Sequence, residues 1–386
     1  MTAAAAGLAR FGRVQVEMLE CVYQHRLLST AQLHALYRDG LSLRRTQRAL
    51  GAMERVGWLA SVRQPGGMKL WFVTEAGADA VEAIGNRAEP RRKLIPPEQA
   101  AGPLQQHTLA VNEVGVAFVR AARERGDEFG PLAWRNEIAH PLGSTSGPRG
   151  LSAAGIADAV LSYEEYTPQT VYTHLRFLEL DRATMATETL VAKLGRYVDL
   201  HNYIAPPSKH RGAKRLTGSP RWREHYPHFP AVMVVLANAP RLRLQRRGLQ
   251  TWARWKHRYA ARAPDIDLYI CLLEDLIEQG PFAAIFKSSV ADGLVNWLGD
   301  PPPEPDETEE EAEPATDDDE APPWEPEAEP PEPDAEIQPV GVDEEYDDVD
   351  MAPPAEWRAP PVAYGRLLPF PGSEPADDER DPWERQ

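Results

Sequence analysis

Two strand-like segments carry acids at spacings suited to phosphodiester chemistry. In Ile156-Ala157-Asp158-Ala159-Val160 one acid interrupts an apolar run, and in Phe177-Leu178-Glu179-Leu180-Asp181-Arg182 two acids stand two residues apart. The period of a strand turns Glu179 and Asp181 to one face. If Asp158 shares that face, three carboxylates could gather around Mg²⁺ or Mn²⁺, with Asp158 and Glu179 as its ligands, to polarise a phosphodiester and activate water. Lys193, on the next helical pattern, could steady the developing phosphate charge. The same residues also suit a structural network in which Glu179, Asp181 and Arg182 orient the strand against a helix over residues 187–203.

A second set of residues has the chemistry of base recognition. Ser42 can cap a helix running towards Val56, in which Leu43, Leu50, Met53 and Val56 recur at helical spacing and face a core. Arg44, Arg45, Gln47, Arg48 and Arg55 are left outside, where arginine can pair with guanine and glutamine with adenine. The elements around this helix fit that role. A first helix spans Phe11 to Tyr23 with Val14, Met18, Leu19 and Val22 inward, and Ser29-Thr30-Ala31-Gln32 is a capping box for a second. Asp39-Gly40 breaks that second helix. Two short strands over 58–62 and 69–73 flank the turn Gln64-Pro65-Gly66-Gly67, and Arg63 and Lys69 could reach phosphate from this hairpin. The outline is a winged helix-turn-helix, a unit that binds DNA through its second helix and also serves in places as a protein-docking module.

The acids need a different support. A long helix over 104–125 carries His107, Asn112 and Glu113, followed by strand-like runs at 132–138, 156–162, 171–180, 231–237 and 266–272. Helical patterns lie at 187–203 and 241–261. This order predicts an α+β (α/β) sandwich in which one sheet is covered by helices. The expected layout is a winged helix-turn-helix over 1–90, a linker over 91–103, the α/β domain over 104–299 and a disordered tail over 300–386. Lys209, Arg211, Lys214 and Arg215 form a basic loop suited to a phosphate backbone. Trp252 and Trp255, among the basic residues of 241–262, could stack bases or pack the core.

Charge divides the chain. The formal net charge is -17, yet from Asp300 onward 31 acidic residues face four arginines, a net of -27, so residues 1–299 carry +10. Twenty of the 37 prolines lie in that last segment. Charge repulsion and scarce core-forming residues predict disorder there. The tail could shield the basic surface or dock a partner such as a relaxase or replication protein through peptides around Trp324, Trp357, Tyr364 and Trp383. Cys21 and Cys271 are the only cysteines, which excludes a disulfide framework or a Cys-based zinc site. With no leader pattern and no long apolar stretch, the expectation is a cytoplasmic protein without membrane contact, and a homodimer is open. A Gly-rich phosphate loop ending in Gly-Lys-Ser/Thr is absent, as is the His-hydrophobe-His triplet of one relaxase class.

The helix followed by Asp158 on one strand and Glu179-Leu180-Asp181 on the next resembles the PD-(D/E)xK nuclease core, with Glu113 as a further member. It departs from that pattern in having Ala157 before the first acid and Asp181 in place of the lysine, a role Lys193 could take over. More widely, the leading winged helix, His107-Thr108-Leu109-Ala110-Val111-Asn112-Glu113-Val114 and Lys193-Leu194-Gly195-Arg196-Tyr197 resemble the actinobacterial replication-relaxation family of plasmids and conjugative elements, over about residues 13–275. The resemblance implies a part in plasmid replication, relaxation or transfer. Three functions follow as expectations: a double-stranded-DNA-binding accessory protein, a metal-dependent endonuclease using Asp158, Glu179 and Asp181, or a protein–protein adaptor.

Overall fold

A computed structural model describes residues 11–64, 66–84, 94–96, 100, 102, 104–140, 155–204 and 218–301, all within one compact unit. The basic residues Lys209, Arg211, Lys214 and Arg215, most of the expected linker and the acidic segment after Pro301 lie outside the described residues.

The fold is α+β. It opens with α1 (Arg13–His25), the short strand β1 (Leu28–Ser29), α2 (Thr30–Tyr37), α3 (Leu43–Arg55), the hairpin β2 (Leu59–Arg63) and β3 (Lys69–Val73), and α4 (Glu75–Glu82). β1 pairs with β3, giving an antiparallel sheet in the order β1-β3-β2. The capping box forms: Ser29 Oγ accepts from the Gln32 amide at 3.1 Å and Gln32 Oε1 accepts from the Ser29 amide at 2.9 Å. Gly40 and Gly57 take φ of 84° and 76°, the left-handed backbone that lets the chain turn after α2 and α3.

Three expected core residues lie at the surface. Leu43 is 44% exposed, Val56 48% and Val14 36%, whereas Leu50, Met53, Met18, Leu19 and Val22 are buried. Each outlier sits in the first turn of a helix or just past its end, where the inward stripe runs beyond the elements it packs on. The inward side of α3 is carried by Thr46, Leu50 and Met53, and the buried Thr46 hydroxyl meets His34 Nδ1 at 2.9 Å.

The second part starts with α5 (Leu104–Arg125) and continues through β4 (Trp134–His140), β5 (Gly155–Tyr166), β6 (Val171–Asp181), α6 (Thr187–Asn202), β7 (Ala231–Leu236), α7 (Arg241–Tyr259), β8 (Leu268–Leu272), α8 (Leu273–Gln279), β9 (Phe286–Ser288) and β10 (Leu294–Val295). These strands form one seven-stranded sheet, β10-β9-β8-β7-β6-β5-β4. β4, β5 and β6 are antiparallel to one another, β6, β7 and β8 are parallel, and the remaining pairs are antiparallel. α6 and α7 cover one face, with Leu194, Val198, Leu244 and Trp255 against Phe177, Val234 and Ile270. α5 covers the other, and its core runs on without interruption into α1, α2, α3 and β3. Trp252 and Trp255 belong to the packing alternative: Trp255 is buried, and Trp252 Nε1 donates to the Ser288 carbonyl at 3.2 Å.

The amide of Asn112 is the hub between these parts. It is fully buried; Nδ2 donates to the Leu27 carbonyl at 2.9 Å, while Oδ1 accepts from Trp134 Nε1 at 3.3 Å and from Asn136 Nδ2 at 3.2 Å. Around it His25 stacks on Trp134 with ring centres 4.0 Å apart, and Gln24 donates to the Trp134 carbonyl at 2.7 Å. Arg123 donates to the carbonyls of Ala35 and Leu36 at the end of α2. Asn112→Ala takes a buried partner away from the Leu27 carbonyl, Trp134 Nε1 and Asn136 Nδ2, so urea denaturation should show a loss on the order of 3 kcal/mol. A loss under about 1 kcal/mol would mean that water replaces the amide.

Candidate functional site

The β5–β6 ladder runs from Tyr166↔Val171 to Ala159↔Leu178 and stops there, and the β4–β5 ladder omits the position of Asp158. Asp158 therefore stands outside both ladders, where the strands fork. The residue opposite it on β4, Glu137, takes a φ of 52° although the register is unbroken on either side, and pairs at 2.6 Å with Arg26, itself at φ 67°. The N-terminal part thus braces the strand next to Asp158.

The fork is filled by charge. Asp158 Oδ2 accepts from the Leu180 amide at 2.8 Å and lies 3.4 Å from His107 Nε2 on α5. Lys193 on α6 places its Nζ 3.0 Å from Asp158 Oδ1 and in contact with Glu179 Oε2, so one ammonium bridges both carboxylates. The Tyr197 hydroxyl, one turn further along α6, donates to Glu179 Oε1. Glu179 is almost fully buried, while the Lys193 and His107 side chains keep 28% and 35% exposure, so the cluster opens to water on their side.

Burial alone would raise the Asp158 carboxyl, but the hydrogen bond from His107, the Lys193 charge and the Leu180 amide outweigh it and hold the group at about 2. Glu179 goes the other way: burial and the adjacent Asp158 charge push it to about 8, against the partial relief of Lys193 and Tyr197. Burial opposes the charge on Lys193, yet Glu179 and Asp158 hold its pKa above the ordinary lysine value. At neutral pH the cluster is thus an Asp158–Lys193 ion pair beside a protonated Glu179.

The expected members divide. Asp158, Glu179 and Lys193 come together. Asp181 shares the face of Glu179 but belongs to a different contact: its carboxylate is gripped by the Arg247 guanidinium of α7, which also reaches Thr187 Oγ1 at 3.4 Å. Through Arg247 it ties α7 and the start of α6 to the sheet. Glu113 is also elsewhere, accepting from Gln32 Nε2 at 2.9 Å at the junction with α2. Its place on the long helix is taken by His107, two turns earlier. Among the described residues no group of three or more His, Cys, Asp or Glu side chains gathers to hold a metal. The donors available to Mg²⁺ or Mn²⁺ are Asp158 and Glu179, and Lys193 occupies the space between them. A surface cleft between α6 and α7, lined by Glu188, Val191 and Arg254, borders neither carboxylate.

Of the base-reading set, Arg44, Arg45, Gln47, Arg48 and Arg55 are all exposed on α3, and Arg63 is exposed at the end of β2. Lys69 is engaged: its ammonium lies 2.9 Å from Glu54 Oε2 and over the Trp71 ring at 4.0 Å. Cys21 and Cys271 are buried free thiols. No helix among the described residues is long and apolar enough to cross a membrane.

A family model described as replication-relaxation matches residues 19–213, from α1 through α6 and beyond. No curated protein and no solved structure matches the chain.

The two carboxyls give opposite pH dependences. Glu179 rises from 4.5 to about 8 on folding, so its contribution is fully present below 4.5 and is lost as pH climbs through 8. Urea midpoints should fall over that window, by at most about 1.4 kcal/mol per pH unit, and Glu179→Gln should flatten the slope. Asp158 is depressed from 3.8 to about 2, so its stabilisation holds above 3.8 and disappears as pH drops through 2, a component that Asp158→Asn should remove from acid unfolding.

Proposed function

The chain belongs to the replication-relaxation family, and from that premise we propose that it binds double-stranded DNA as an accessory protein in replication, relaxation or transfer of a plasmid or integrative element. The observation that carries this reading is the outward face of α3, where Arg44, Arg45, Gln47 and Arg48 are exposed in succession. We read α1 to α3 with the β2–β3 hairpin as a winged helix-turn-helix, α3 as the helix that enters the major groove and Arg63 as a phosphate contact of the wing. The net charge of +10 before Asp300 supports attraction to a polyanion.

In gel retardation with duplex DNA, wild type should bind with a strong salt dependence. Arg44→Ala combined with Arg48→Ala should weaken binding by tenfold or more and reduce the slope of log K against log salt by about one to two. Unchanged retardation by the double variant would remove α3 from the interface. No retardation by wild type would favour an adaptor that binds proteins.

A second reading, metal-dependent endonuclease activity, is favoured by the fork at Asp158 and Glu179 with Lys193 delivered from α6 in place of a strand lysine. Mg²⁺ or Mn²⁺ held by the two carboxylates would supply polarisation of the phosphodiester and a more acidic water. Lys193, displaced from between the acids, would then face the phosphate. With Mn²⁺ and supercoiled plasmid, this reading expects nicking by wild type and none by Glu179→Ala that still retards DNA. If both retard DNA and neither nicks, the cluster is structural.

A further inference from the structure

Three consecutive residues in the first turn of α5 face three different elements. Gln105 Oε1 accepts from Gln64 Nε2 at the end of the β2 strand of the wing, at 2.7 Å. Gln106 Oε1 accepts from Arg182 Nη2, just past β6, and His107 Nε2 lies 3.4 Å from Asp158 Oδ2. Gln105 and His107 are about 3 Å apart along the helix axis, so the wing and the carboxylate fork are held to the same end of one rigid rod. That rod cannot turn independently of the α3 unit, because Asn112 and Arg123 further along it are bonded to Leu27, Ala35 and Leu36.

The surface at this end suits a phosphate backbone. Arg63 is exposed on the wing side and Arg196 on the fork side, three residues after Lys193 and therefore on its face of α6; Arg182 is half-buried against Gln106.

Resting on the DNA-binding reading above, but not on cleavage, we infer that a single duplex lies across both parts. α3 and the wing read it, and its backbone continues over Gln106 and Arg182 to the Asp158–Lys193 fork. The fork then meets one phosphate region at a fixed offset from the bases that α3 reads.

Site-directed cleavage tests this. Cys21 and Cys271 are buried, so an introduced cysteine can be labelled selectively with an iron–EDTA reagent. Thr189, exposed on α6 one turn before Lys193, is the reporting position. Gln169, exposed in the β5–β6 turn and roughly 30 Å away along β6, is the control. The DNA is a duplex selected from a random pool by the wild-type protein. With labelled Thr189→Cys, strand breaks should form one cluster at a constant distance from the protected tract, at least fivefold above those from labelled Gln169→Cys. If both labelled proteins protect the DNA but cut it equally, the duplex is held by α3 and the wing alone, and the inference fails while the DNA-binding reading stands. If wild type selects and retards no DNA, both fail together.

Discussion

The buried carboxamide of Asn112 is the constraint through which the two parts of this protein become one body. A carboxamide taken out of water must find its partners inside, and this one reaches from its own long helix to two other elements at once, the turn before β1 and the start of β4. Apolar packing around it fixes the distance between the parts, but it is directional bonding that fixes their angle. The His25–Trp134 stack and the Arg123 contacts to the end of α2 then close the remaining freedom. Once that angle is set, the first turn of α5 meets the β2–β3 hairpin through Gln105 and the carboxylate fork through His107.

The fork itself is a problem of uncompensated charge. Two carboxyls in one desolvated place cannot both ionise cheaply beside a single ammonium, so the proton stays on the deeper one. Glu179 is deeper because it lies under α6 and Tyr197; Asp158 is shallower and has the Leu180 amide, His107 and Lys193 around it. The division between an ionised and a neutral acid follows from geometry that was already present in the strand order. The left-handed backbone of Glu137 marks the one gap in the β4–β5 ladder, opposite Asp158, and the β5–β6 ladder ends at Ala159, so the Asp158 carboxylate accepts from the Leu180 amide instead.

Much of this was legible in the residues. The capping box at Ser29, the helices and the long strands announce themselves locally, and the two-residue period correctly put Glu179 and Asp181 on one face. What local pattern could not supply was the partner. Asp181 is taken by Arg247, 66 positions away, and Glu113 by Gln32, 81 positions away; both pairings exist only after the chain has folded. His107 was visible only as part of a family-like stretch, because one histidine on a helix carries no period of its own. Leu43 and Val56 obey the helical period of α3, yet a period says which side a residue faces and not how far the core extends. β1, β9 and β10 are two or three residues long, too short to alternate, and their pairing decides their existence.

The pairing of Arg26 with Glu137 joins two residues that each hold a left-handed backbone uncommon for their type, one at the end of α1 and the other in the middle of β4. The two side chains hold each other across the junction. The seam is therefore written into both parts, residue against residue, together with Asn112 and Trp134. In descent, the N-terminal part cannot be traded for that of a distant relative as a loose cassette, since the recipient would lack the matching half of the seam. Substitutions are expected to accumulate freely on the exposed side of α3, which the seam does not touch, while the junction itself changes only by paired replacements.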